Sequence, residues 1–145
     1  MSRLKPLFID GRPVETERRA LIRSPYDGHE VAEVALGSSA EMEAATLAAV
    51  RAFGVTRRLT RRQRADVLHR VASGVARRKE EIAATMTDEM GKPLQFSRAE
   101  VDRCVTTFTL AAEEARRWTG EMVPVDIEPH TSGFQAFTVI VPLAK

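Results

Sequence analysis

The chain has 145 residues and a formal net charge of +2, with 43% hydrophobic and 29% charged residues. This is the composition of an ordinary globular domain, and so small a net charge predicts no strong attraction to nucleic acid or membranes. A single cysteine, Cys104, excludes an internal disulfide or multi-thiolate zinc site and favours a reducing, cytoplasmic setting. We expect no signal peptide after Met1 and no membrane-spanning run of ~18 apolar residues.

The first forty residues are predicted to form short strands joined by turns. Residues 7–14 contain an apolar run, and Asp10-Gly11 within them is a strong turn signal. A second run at Leu21-Ile22 is broken by the turn-forming residues 24–28, and residues 31–36 make another extended piece. Two hairpin-like units follow from this pattern.

Helical periodicity begins after Gly37. Ser38 and Glu41 have capping-box spacing, in which the hydroxyl accepts a backbone N–H and the carboxylate reaches back to the cap. Apolar residues then recur on one helical face as far as Phe53, and Gly54 is predicted to end this helix.

A second, long helix is predicted after Thr60, which makes another capping box with Gln63. Its apolar stripe reaches Met86, with Gly74 as an internal weak point. The helix should stop at residues 91–93, Gly-Lys-Pro, because glycine caps a C-terminus and proline cannot continue the helix.

A third helix is predicted from Gln95 to Trp118, closed by Gly120. Alternating apolar residues in 123–127 and 137–143 then predict two strands around a loop at 128–133. An apolar hairpin of this kind is marginal in water by itself, so we expect it to pair with something outside this chain.

Few residues have the pattern of a chemical site. Cys104 falls in the middle of the third helix, away from the helix N-terminus that activates a thiol, and is interpreted as an inert core or near-core residue. His29, His69 and His130 are scattered without the spacing of metal ligands. We therefore assign no catalytic, cofactor-binding or metal-ligating residue to this chain.

The remaining charged residues form adjacent carboxylates and one basic stretch. Glu80-Glu81 and Glu113-Glu114 look surface-like rather than paired for acid–base work. Nine basic residues crowd residues 57–79 against the single acid Asp66. They could grip phosphates, but aromatics are not interleaved, so we favour a solvated face paired with acids elsewhere and regard nucleic acid as an unlikely partner. The acids available for this are Asp88, Glu89, Glu100, Asp102, Glu113 and Glu114.

Several short motifs follow one another in a characteristic order. The most specific is Glu89–Pro93, which continues into Ala99-Glu100-Val101. The others are Phe8–Arg12, Ser24–Val31, Ala48–Phe53, Arg61–Leu68 and Gly120–Pro124. In this order they resemble the NAD(P)-dependent aldehyde dehydrogenase superfamily, with Glu89–Pro93 similar to the family's E-x-GKP, Phe8–Arg12 to its FIDG and Ser24–Val31 to its NP-x-x-G, with Ser for the usual Asn. The resemblance covers residues 7–127, whereas residues 134–145 fit the family only loosely.

The resemblance implies an enzyme that oxidises an aldehyde with NAD or NADP. The family uses a cysteine nucleophile, a glutamate that activates water and an asparagine that stabilises the oxyanion. The first two lie downstream of the matched region, Cys104 matches no nucleophile motif, and the chain contains no asparagine. The isolated chain is therefore expected to be inactive and to bind no cofactor tightly.

Together these features predict an α+β fold with short N-terminal β-strands, a body of three helices and a C-terminal β-hairpin. The resemblance implies that residues 1–120 hold the strands and helices of the cofactor domain, and that residues 121–145 are the hairpin of the oligomerisation region. The leading hypothesis is an N-terminal fragment or truncated member of the family. The alternative is a non-catalytic interaction module that forms a homo-oligomer through residues 122–143.

Overall fold

The computed structural model describes residues 4–141, and its strands confirm the predicted extended pieces at the N-terminus. Five strands precede the helices and two follow them. The strands are β1 (Leu4–Lys5), β2 (Leu7–Ile9), β3 (Arg12–Val14), β4 (Arg19–Arg23), β5 (Glu30–Ala35), β6 (Met122–Val123) and β7 (Ala136–Phe137). β2 and β3 form an antiparallel hairpin, and β5 lies between parallel β1 and antiparallel β4.

Four helices follow these strands and form the body of the chain. They are α1 (Ser39–Thr56), α2 (Arg61–Arg77), α3 (Lys79–Met90) and α4 (Leu94–Arg117). Both predicted capping boxes are present, Ser38 with Glu41 before α1 and Thr60 with Gln63 before α2. α1 runs two residues past the predicted end at Gly54, and a short 3₁₀ turn (Pro129–Thr131) lies between β6 and β7.

The number of helices differs from the prediction, because the long helix expected after Thr60 is two helices. The chain leaves helical geometry at Arg78, whose φ of −104° and ψ of 18° end α2 and precede α3. The Arg78 guanidinium binds Glu81 at 2.6 and 2.8 Å and so braces the first turn of α3. The break lies at Arg78 and not at Gly74, the suspected weak point.

The helices pack through small side chains. α2 and α3 both lie against α4. The buried residues of these three helices are Ala65, Ala72, Ala83, Ser97, Val101 and Ala112. Side chains this short allow close approach of the helices, but they bury little apolar area, which is the main source of folding free energy.

Many large apolar side chains remain outside this core. They are exposed on α1 (Met42, Leu47, Val50, Val55), beside the α3–α4 connection (Met90, Phe96) and along the C-terminal segment (Trp118, Met122, Ile127, Phe134, Phe137, Val139). These side chains leave apolar surface in water, where burial by further protein would be favourable.

The C-terminal strand pair is shorter than predicted. β6 and β7 pair antiparallel over two residues each, Met122 with Phe137 and Val123 with Ala136. Residues 124–127 and 138–141 are not in strands, and predicted position Leu143 lies outside the described residues. The α+β class and the presence of a terminal strand pair are confirmed, but the two strands are shorter than predicted.

Candidate functional site

The most specific motif of the sequence forms the corner between α3 and α4. Gly91 ends α3 in the left-handed conformation, with φ of +65°, and its N–H donates to the Thr87 carbonyl at 2.9 Å. A non-glycine residue is strained there. Pro93 then precedes α4, and its carbonyl accepts from the N–H groups of Phe96 and Ser97. The Gly-Lys-Pro order thus turns the chain between two helices.

Lys92 and Glu100 connect this corner to the body of α4. Their side chains form an ion pair that is partly buried, with Lys92 26% exposed. Hydrogen bonding and charge attraction from Lys92 hold the pKa of Glu100 below its ordinary range. Next to Glu100, Val101 is among the most buried side chains of α4. The two matched motifs, at 89–93 and 99–101, are therefore parts of one corner.

The turn that follows β4 lies against the same corner. Ser24 is buried, its hydroxyl accepts a 3.4 Å hydrogen bond from the Tyr26 N–H, and its own N–H donates to the His29 carbonyl. Serine can supply the turn-forming oxygen that asparagine would supply at this position. Residues of this turn line a cleft of about 270 Å³ together with Gly91, Lys92 and Pro93.

The candidate chemical residues are not gathered at this corner. Cys104 is a free thiol, half-buried in the middle of α4, as the periodicity predicted. His69 lies on α2 and His130 in the 3₁₀ turn, whereas His29 borders the cleft with Nδ1 2.5 Å from Asp27 Oδ1. Across residues 4–141, no three His, Cys, Asp or Glu side chains are placed to share a metal ion.

Three of the four adjacent carboxylates are engaged in ion pairs. Arg98 donates to Glu80 and Arg78 to Glu81, and these hydrogen bonds hold the pKa of each carboxyl below its ordinary range. Glu114 likewise binds Arg117 at 2.6 Å. Such pairs stabilise the charged form, the opposite of what a general acid at neutral pH needs.

The basic residues at 57–79 have fewer acidic partners than the sequence analysis predicted. Lys79 pairs with Asp102, one of the acids proposed for this purpose. The arginines at 57–70 find a single acidic partner within the described part of the chain, Asp66, which binds Arg62. The same carboxylate also faces Arg116 at the end of α4.

Comparison with known proteins agrees with the family resemblance and with the fold. The family model described as "Aldehyde dehydrogenase family" matches residues 13–144. The 3-sulfolactaldehyde dehydrogenase of Priestia megaterium is 33% identical over 94% of this chain and 28% of its own length. The alpha-ketoglutaric semialdehyde dehydrogenase of Bacillus subtilis is also 33% identical, over 81% of this chain and 25% of its own length.

Two solved structures show the same arrangement of elements. Aldehyde dehydrogenase 21 from Physcomitrella patens, solved with its product succinate, has a TM-score of 0.87 at 32% identity over 94% of this chain and 29% of its own. Betaine aldehyde dehydrogenase from Staphylococcus aureus, solved with NAD+, has a TM-score of 0.77 at 29% identity over 84% of this chain and 25% of its own. This chain belongs to the aldehyde dehydrogenase family. It spans about a quarter of the length of these relatives, so the prediction of a segment of the family fold is confirmed.

Among residues 4–141, no helix is both long and apolar enough to cross a membrane.

Proposed function

We propose that this chain is an N-terminal structural segment of an NAD(P)-dependent dehydrogenase that oxidises an aldehyde to a carboxylic acid, and that the isolated chain is inactive. The observation that carries the proposal is the family match over nearly the whole chain but only 28% of the relative's length. Within the larger enzyme, the helices and strands would support the cofactor domain, with NAD or NADP held largely by residues outside this segment.

The chemistry of the described residues supports the inactive state. Aldehyde oxidation of this type needs an activated thiol, an oxyanion donor and a base close together. Cys104 lies mid-helix, half-buried, and the chain contains no asparagine that could donate to an oxyanion. The carboxylates with shifted pKa values in α3 and α4 are bound to Arg or Lys and so are held as anions.

The exposed apolar surface supports the role of a segment. α1 and the C-terminal residues present large side chains to solvent, while the core of α2 to α4 is built largely from alanine. A surface of this kind is stabilised when further protein covers it. We propose that the remaining part of the dehydrogenase fold is that protein.

A two-part activity assay tests the proposal. Purified chain is mixed with NAD+ or NADP+ and lactaldehyde or betaine aldehyde, and NADH or NADPH absorbance is followed, with a complete lactaldehyde dehydrogenase as positive control. We expect no turnover. Sustained turnover that Cys104→Ser abolishes would overturn the inactive state. In the second part of the assay, this chain is co-expressed with a relative from which the first quarter has been deleted. We expect this combination of chains to restore turnover.

A second candidate is an interaction module that forms a homo-oligomer through residues 122–143. The strand pair β6–β7 favours it, because two-residue strands leave backbone groups unpaired beside exposed Met122 and Phe137. Light scattering should give a dimer or larger, reduced to monomer by Phe137→Asp. Tyr26→Asp, at an exposed aromatic on the distant β4–β5 turn, is the matched control. A monomeric wild type would remove this candidate.

Residence in the reducing cytoplasm is proposed on the basis of the single cysteine. Fractionation of cells that express the chain tests it, and recovery outside the cytoplasmic fraction would contradict it.

A further inference from the structure

Three guanidinium groups line an open cleft where the start of α2 meets the end of α4. Arg61 and Arg62 come from the first turn of α2, and Arg116 comes from the last turn of α4. The cleft has a volume of about 530 Å³, and Asp66 completes its lining. It is separate from the α3–α4 corner and from the C-terminal strand pair.

The single carboxylate does not neutralise the cleft. Asp66 Oδ2 lies 3.8 Å from Nε of Arg62, and its Oδ1 lies 3.5 Å from Nη2 of Arg116, so two arginines share one acid at long distances. Arg61 has no ion pair among residues 4–141. Three positive charges and one negative charge leave the lining with a charge of +2.

The surroundings of the cleft add positive potential. The connection from α1 to α2 carries Arg57 and Arg58, neither of which has an acidic partner in the described part of the chain. The first turn of α2 contains no acidic residue, so the positive end of its helix dipole also remains uncompensated by a side chain.

We propose that this cleft binds an oligophosphate, a small anion with two or three linked phosphate groups. Guanidinium forks bind phosphate oxygens in pairs, and several of them together match a ligand with more than one negative charge. Arg62 is 87% exposed and held only by the 3.8 Å contact, so it can turn toward a ligand without losing a strong partner. The lining contains no aromatic side chain on which bases of a nucleic acid could stack. This inference is independent of the proposed dehydrogenase role.

Tripolyphosphate is the probe, titrated into the full chain at about 100 mM salt by calorimetry, with Trp118 fluorescence as a second signal. Trp118 is the single tryptophan, is 67% exposed and lies two residues after Arg116. We expect saturable one-site binding. The double variant Arg61→Gln/Arg116→Gln should weaken it at least about ten-fold, since two ligand-facing charges are removed.

The control variant removes the same charge elsewhere on α2. Arg70→Gln/Arg77→Gln alters two exposed arginines of the same helix that do not line the cleft, and it should change the affinity less than about two-fold.

Asp66→Asn removes the negative charge inside the cleft. It should tighten binding about four-fold, the effect of one unit charge ~5 Å away in water. A variant that simply unfolds cannot produce this gain.

Four outcomes would overturn the proposal. The first three are no saturable binding by wild type, equal loss of affinity in both double variants, and unchanged or weaker binding by Asp66→Asn. The fourth comes from titrating thymidine oligonucleotides of different lengths, and it is an affinity per phosphate that rises with oligonucleotide length. The last outcome would replace an oligophosphate cleft with a surface for polymeric nucleic acid.

Discussion

Gly91 and Pro25 lie so close that a Cβ atom on the glycine would be 3.1 Å from Cγ of the proline. The contact joins the end of α3 to the turn after β4, which are about 65 residues apart in the sequence. Other contacts between the strands and the helices are few. The left-handed φ at Gly91 and this close approach both disfavour a side chain at this position.

Gly91→Ala should therefore lower the free energy of unfolding by about 1–3 kcal/mol, from backbone strain and the displaced proline ring. Urea unfolding followed by circular dichroism measures it. Gly54→Ala is the matched control, because a Cβ atom at this position of α1 has open space around it. This substitution should be neutral or should stabilise the fold by up to ~1 kcal/mol. Equal destabilisation by both variants would contradict this role for the corner.

The alanine interface between α2 and α4 should not tolerate larger side chains. Ala65 is fully buried on α2, so Ala65→Leu would force the two helices apart and cost about 1–3 kcal/mol of unfolding free energy. Ala76→Leu, at an exposed position of the same helix, should stay within ~0.5 kcal/mol of wild type. Thermal melts of the three proteins compare them, and a stable Ala65→Leu chain would argue against close helix packing.

The ion pair between Lys92 and Glu100 predicts a pH dependence of stability. The lowered pKa of Glu100 means that its contribution is fully present above the ordinary glutamate pKa of about 4.3 and is lost as the pH falls through its folded pKa. Glu100→Gln should therefore reduce stability at neutral pH and flatten the decline below about pH 4. Glu113→Gln, at an exposed residue of the same helix, should leave that slope unchanged. Parallel slopes for wild type and Glu100→Gln would refute the assignment.

Gly120 approaches the C-terminal segment closely. A Cβ atom at Gly120 would overlap the carbonyl oxygen of Thr138, and the neighbouring residue Glu121 exchanges two hydrogen bonds with Thr138, at 2.7 and 2.9 Å. Gly120→Ala should separate the two segments and abolish hydrogen-exchange protection of the Thr138 amide. Thr119→Ala, at the adjacent exposed residue, should preserve it. Protection retained in Gly120→Ala would disprove the contact.

The sequence alone determined the fold class, the succession of short strands, helices and a terminal strand pair, and most helix ends, but it predicted one helix where α2 and α3 are separate. These are local properties, since capping boxes at Ser38 and Thr60, and the glycine cap at Gly91, depend on residues within one turn. The ordered motifs around Glu89–Pro93 also identified the family, which the comparisons confirm. The break at Arg78 had a local signal that was missed, since basic residues end α2 and Glu80-Glu81 begin α3, as helix dipoles favour.

Other features depended on residues far apart in the chain and could only come from the tertiary structure. The contact of Pro25 with Gly91 and the approach of Arg61 to Arg116 each require the packing of separate elements. The short β6–β7 pair shows the same limit, because alternation specifies a strand only where a partner lies beside it. Residue periodicity thus set the elements, and their packing decided which charges and side chains meet.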